Sequence, residues 1–370
     1  MRRAAVTLAC LSLSCPAAFA GDLSATAYQV TPAHNAIVQF SNSWGPALQP
    51  LWTTTLDGAA SYPLVANGYV YTLVAGNPDE IVAINESTGA IAWKLSTGSN
   101  GSIGLAYDSD KLFTVNSGGT LSAFNAVKGK LAWAQQLPGQ YYFTSEPSAL
   151  NGIVYVGGAG DGGTLYAARA TDGKLLWTQS VENGDDSSPA VTNDGVYVAY
   201  PCQYYDFAPK TGQVIWHYAG GCDGGGGDTV VVGSGLAFVR DFSGLEGNTI
   251  FNARTGATIG SFAASAPPVV VGGKLAYFLD DGTLSGIAPR TSQLFWEFSG
   301  DGELSTPPIA VNSWVVAVSG AGKVYVLDGK TGAVAFSTKV TGTIGNTLGA
   351  GAGMILIPAG NTLVALGSTT

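Results

Sequence analysis

The chain has 370 residues, 46% of them hydrophobic, which is enough to build a sizeable core in one large domain. Only 11% are charged while 52 are Gly, a mixture that suits many short strands joined by tight turns. Two histidines, His34 and His217, exclude a three-His metal site, and the formal charge of −9 leaves no general attraction for nucleic acid or anionic lipid.

Residues 1–20 read as a signal peptide. Arg2 and Arg3 precede an apolar run over residues 4–13, and Ala18-Phe19-Ala20 before Gly21 has the form of a cleavage site. The run is too short to span a bilayer. Export to the periplasm or the extracellular space is therefore expected, with no transmembrane segment. Loss of Arg2 and Arg3 takes the charge from −9 to −11. Neither Cys10 nor Cys15 has a Leu three residues before it, as a lipoprotein box requires. Residues 21–45 form an N-terminal extension that carries His34 beside no cluster. The two cysteines left after cleavage, Cys202 and Cys222, are expected to pair in an oxidising compartment.

From residue 46 to 370 the chain repeats. Residues 81–93 alternate, turn at Thr88-Gly89 and alternate again to Trp93. The turn recurs at Gly129, Gly173, Gly212, Gly256, Ser292 and Gly332, at intervals of 36 to 44 residues. Pro63, Pro147, Pro189, Pro267 and Pro307 each open a short strand at one phase of the repeat, where proline loses no ladder hydrogen bond. Each unit reads as four antiparallel strands, a propeller blade. In the third full unit these are roughly residues 190–191, 196–200, 205–208 and 213–218. The C-terminal residues 363–370 supply a third strand without a fourth. Pro50-Leu51-Trp52 matches the missing one, so the N-terminal strand is expected to close a ring of eight blades without free edges. The fold class is all-β, an eight-bladed propeller, expected to be a monomer.

The pattern A-x-[ND]-x-x-x-G-x-x-x-W, present as Ala83-Asn85-Gly89-Trp93 and Ala123-Asn125-Gly129-Trp133, resembles the docking repeat of the PQQ-like, quinoprotein-type propeller family. Trp occupies the docking slot at 52, 93, 133, 177, 216 and 296, while Gly260 and Phe336 replace it elsewhere. Filling the gap between neighbouring blades accounts for all six, and none is assigned a ligand. The resemblance implies one of two branches. Dehydrogenases of alcohols and sugars bind pyrroloquinoline quinone (PQQ) and Ca²⁺ near the axis, many beneath a vicinal Cys-Cys pair and some with a haem domain; this sequence has neither adjacent cysteines nor a C-x-x-C-H motif. The short single-domain members, of the BamB type, are noncatalytic scaffolds.

The expected function is accordingly a noncatalytic, protein-binding scaffold without a cofactor, whose ligand is a protein partner in the cell envelope or an extracellular molecule. A PQQ- and Ca²⁺-dependent dehydrogenase is the alternative, and a carbohydrate-binding or carbohydrate-active propeller a second. Blade topology puts the links between blades and the turns between second and third strands on one face. Cys202 and Cys222 fall there together. So do the carboxylates expected to bind the partner: Asp185, Asp186, Asp223, Asp228, Asp301 and Glu303. Asp223, Asp228, Asp280 and Asp281 are the candidates for a Ca²⁺ site, oxygen donors being what that ion takes. No catalytic residue is assigned. His217, beside Trp216 on an outer strand, is expected to be structural.

Overall fold

The computed structural model describes residues 25–200, 202–221, 227–240, 247–345 and 347–369, so the expected signal segment, Cys222 and Asp223 lie outside the described residues. Alternating β-branched and aromatic residues, punctuated by Gly and Asn turns, fold into eight sheets, each with a blade of four antiparallel strands; seven of the blades are built from one repeat each. Blades 1 to 7 follow in chain order at residues 64–96, 102–136, 148–181, 190–219, 231–261, 269–298 and 309–339. In blade 4 the strands are Ala190–Val191, Val196–Tyr200, Gln203–Phe207 and Val214–Ala219, within two residues of the expected limits. Blade 8 takes three strands from the C-terminal end and its outer strand, Leu48–Thr55, from the beginning of the chain. That strand pairs antiparallel with Thr362–Ser368, Trp52 standing opposite Ala365, and so closes the ring.

Each outer strand carries a β-bulge just before the docking slot, in all eight blades. A bulge re-aims the residue that follows, and here it lays an indole on the next blade. Trp52, Trp93, Trp133, Trp177, Trp216 and Trp296 lie on Gly89, Gly129, Gly173, Gly212, Gly256 and Gly332; a Cβ at any of these glycines would come within 2.6–2.7 Å of the ring system. The same glycines hold φ between +57° and +73°, so two independent constraints exclude a side chain. Five of the six indoles also donate Nε1–H to a carbonyl of the turn they cover, among them Trp177 to Pro209 at 2.9 Å and Trp216 to Ala253 at 2.9 Å. Trp93 Nε1 is buried without such a partner.

The two slots without Trp follow the same logic. Blade 5 presents Gly260, and the turn it faces in blade 6 has Ser292 in place of glycine, at φ +54°. With no ring above it, a side chain is tolerated. Phe336 of blade 7 faces blade 8, whose third and outer strands come from opposite ends of the chain and share no turn.

Residues 25–38 fill the axis. They have no alternating pattern because they join no sheet along their length. Instead their carbonyls accept from inner strands around the ring: Ala25 O from Val65 N, Thr26 O from Tyr107 N, Pro32 O from Val191 N, Ala33 O from Val232 N and Ala36 O from Ala310 N, at 2.6–2.9 Å. Only Ile37–Val38 forms a strand, parallel to Ile309–Val311. Turning through the channel takes unusual backbone: Gln29, Val30, His34 and Ala36 all have φ between +51° and +74°, a region costly for a β-branched residue such as Val30. His34 pins the segment from inside, with Nδ1 3.2 Å from Val230 O and Nε2 3.1 Å from Ser148 Oγ. Burial pushes its imidazole down to about 4, with the Val230 carbonyl opposing.

Two expectations follow. Trp177→Ala should lower stability by about 3–5 kcal/mol in chemical denaturation, and Trp177→Phe by much less. Because the folded imidazole titrates below its unfolded value, the stability it contributes is complete above about pH 6.5 and lost as pH falls through about 4, on the order of 3 kcal/mol in all. His34→Asn, whose side chain tolerates the left-handed backbone, should flatten that part of the acid-unfolding profile relative to the wild type.

Candidate functional site

The axial segment closes the channel from one side and leaves a funnel open on the face of the interblade links. Tyr28 forms its floor. Two adjoining cavities of about 450 and 330 Å³ share Tyr28 and Glu146; the larger continues to Asp186, Asp228 and Arg240, the smaller to Tyr62 and Gly104. Tyr62 and Glu146 each precede a strand-opening proline, Pro63 and Pro147, and this position faces the funnel. Tyr62 is held by accepting from Leu105 N and donating to Leu105 O, at 2.9 and 2.7 Å. Gly104 must lack a side chain, since a Cβ there would meet Tyr62 Oη at 2.4 Å and Glu146 Cγ at 2.5 Å.

The funnel is acidic. Burial raises the Glu146 carboxyl to about 7; its own backbone amide opposes this, and Asp186 adds to it. Asp228 is pushed up to about 6 because burial outweighs its ion pair with Arg240. Asp185, beneath Asp186, is raised chiefly by burial and then by that neighbour. Its Oδ1, like Asp228 Oδ2 and Arg240 Nε, is buried without a hydrogen-bond partner. Asp228 and Arg240 line the larger cavity, so their unsatisfied atoms are groups a ligand there would satisfy.

Among the expected partner-binding residues, the structure brings Asp186 and Asp228 into the funnel with Asp185 behind them. Asp301 and Glu303 sit apart on the link between blades 6 and 7, where Asp301 accepts from Ser319 Oγ at 2.8 Å. Asp280 and Asp281 lie exposed on blade 6, at the turn between its second and third strands. They do not join Asp228, and among the described residues no group of three His, Cys, Asp or Glu is placed to hold a metal ion. Cys202 is fully buried at the corresponding turn of blade 4, on the face of the funnel. His217 stacks on Tyr205 at 4.2 Å and meets Gln203 Oε1 at 2.8 Å, away from the axis.

Sequence reasoning missed Tyr28, Tyr62, Glu146 and Arg240. The residue before each marker proline was the available signal for Tyr62 and Glu146. Arg240 stands next to Asp241 in the sequence, and that adjacency was the available signal. Nothing in the sequence marks Tyr28, whose place depends on how residues 25–38 thread the ring.

No curated protein sequence matches the chain. Among solved structures, BamB from Moraxella catarrhalis superposes with a TM-score of 0.69 at 16% identity, covering 87% of this chain and 100% of that one. A europium-containing methanol dehydrogenase gives 0.72 at 14% identity, covering 92% and 90%. A computationally designed protein, Ika8, gives 0.71 at 16% identity, covering 86% and 99%. BamB, a dehydrogenase and a designed protein share the fold, so the fold does not choose among functions. A family model described as outer membrane protein assembly factor BamB matches residues 77–280 and 280–370, and the chain belongs to that family.

Proposed function

We propose that the protein is an exported, noncatalytic scaffold that uses the axial funnel to hold a segment of a protein partner in the cell envelope or outside the cell. The observation that carries this reading is the funnel's composition. It is rimmed by Glu146, Asp186 and Asp228, and its cation, Arg240, is already paired with Asp228. Such a lining favours a basic or hydrogen-bond-donating segment by charge complementarity. Export is supported by the charged, apolar and Ala-x-Ala sequence of residues 1–20 and agrees with the family's description.

The residues present argue against the quinone of the dehydrogenase branch. That cofactor is itself a polycarboxylate and would enter a funnel of carboxylates in which Arg240 is committed to Asp228. The channel beneath is filled by the protein's own residues 25–38. Asp228 also accepts from Thr229 N at 2.7 Å, which leaves Oδ2 as its free oxygen for a cation.

Calorimetric titration of the mature protein with PQQ and Ca²⁺ should give no saturable heat; tight one-site binding would overturn the scaffold reading. A photo-crosslinker in place of Asp186 should capture a defined envelope or extracellular protein that the same group in place of Lys128, on the opposite face, does not. Equal capture from both faces would count against the funnel.

We also propose a disulfide between Cys202 and Cys222, supported by the burial of Cys202 and by the position of both on the same face of one repeat. Mass spectrometry of exported protein should find the pair oxidised, and reduction should cost roughly 3 kcal/mol. Two free thiols would sink the assignment.

A further inference from the structure

On the face opposite the funnel, blades 1 to 4 are stitched together at their first turns. Asn67 Nδ2 donates to Asp110 Oδ1 at 2.8 Å between blades 1 and 2, and Gly152 N to Asp108 Oδ2 at 2.6 Å between blades 2 and 3. Asn151 Nδ2 donates to Asn193 Oδ1 at 2.9 Å between blades 3 and 4. Among the described residues no such bond joins the turn at 192–195 in blade 4 to the turn at 233–235 in blade 5. There the structure opens into a cleft of about 710 Å³.

The cleft is walled by Tyr197, Ile215, Val232 and Ala253, with Asp194 and Arg254 both exposed at its margin. Ile215 is the residue the blade 4 bulge pushes out of register. One wall residue breaks the repeat. Counting six back from the turn position gives Ala83, Ala123, Ala167, Ile250, Gly286 and Val326 in blades 1, 2, 3, 5, 6 and 7, all of them apolar. In blade 4 the residue is Asp206, set between Tyr197 and Trp216 on the flanking strands. It is 1% exposed, and its Oδ1 has no hydrogen-bond partner. Gly195 makes room for it, since a Cβ there would lie 2.3 Å from Oδ1. Arg254 forms no ion pair with it among the described residues.

A carboxyl where the fold accepts a methyl group costs stability unless something pairs with it. We propose that this cleft binds an organic cation, an ammonium or guanidinium group on a short apolar stem, with Asp206 as its counter-ion. The apolar walls suit the stem, and the unpartnered oxygen supplies the acceptor. The carboxyl's own chemistry fits. Burial pushes it up to about 8, with the Val196 amide opposing and Asp194 adding, so a bound cation would be met by release of a proton. The site is on the other face from the funnel and does not depend on the scaffold reading.

The test uses the mature protein with n-butylammonium, n-butylguanidinium and the neutral isostere n-butanol, followed by NMR titration. The cations should bind saturably and at least about tenfold more tightly than the alcohol, the range of a hydrogen bond to a charged group. Asp206→Ala should abolish that preference. Ala stands at this position in blades 1 to 3, so the variant should fold; the raised folded-state titration further predicts that it gains thermal stability over the wild type as pH rises from about 4 to about 8. Asp206→Asn serves as a second variant, keeping shape without charge. N-acetyl-lysine amide separates the sources. Binding as tight as that of the free alkylammonium points to a partner's side chain, and exclusion of the blocked lysine points to a small free amine. Cations that bind no better than n-butanol, or a preference that survives in either variant, would overturn the proposal.

Discussion

A flat ring lying on a residue without a side chain is the contact from which the disc is assembled. Each blade is a four-stranded sheet with two apolar faces, and alone it would leave both in water. The indole of one blade and the bare turn of the next fix how far apart and at what rotation the sheets stack. Where the carbonyl of that turn also receives the indole N–H, the register along the strand is set too. The strongest sign that the pair acts as a unit is the interface between blades 5 and 6. There the ring is missing, as Gly260, and the glycine is missing with it, as Ser292. Losing either alone would leave a hole or a clash.

Packing sheets around an axis leaves a channel, and this protein spends its own N-terminal residues on it. That choice shapes the candidate site. A through-channel would expose inner-strand backbone and offer no floor. Residues 25–38 satisfy that backbone, bury Ala25, Val30, Ala36 and Val38, and present Tyr28 upward. The acidic rim then has a base to work against. The same segment reaches the inner walls of both the funnel and the cleft between blades 4 and 5, which Ala33 and Asn35 help to line.

How much of this could be read from the sequence divides along physical lines. The blades were legible because their periodicity is enforced by packing: turn glycines at regular spacing, Trp at a fixed offset, proline where a strand opens. The closing strand at Leu48–Thr55 was legible for the same reason, since Trp52 carries the docking signature out of its expected order. Residues 25–38 were not legible. A segment held by isolated backbone hydrogen bonds to several different inner strands, with four left-handed residues, has no period to detect. His34 therefore looked isolated when it is a buried strut between Ser148 and Val230. For the carboxylates the sequence offers only a face, and a face is not a site. Asp186 and Asp228 line the funnel while Asp301 and Glu303 do not, and that depends on how each link folds.

A repeat protein offers one further kind of inference that a non-repeating fold does not. Seven near-copies of a unit show what each position tolerates, so a departure is measured against the chain itself. Ser292 is a departure with its compensation in view across the interface. Asp206 is a departure without one: the turn above it has become glycine to make room, and an oxygen is left bare. A fold that needed only packing at that position had Ala available, as three of its own blades demonstrate. Retaining a charge-bearing group at such a cost is what a binding requirement looks like when it is imposed on a scaffold whose other blades are free of it.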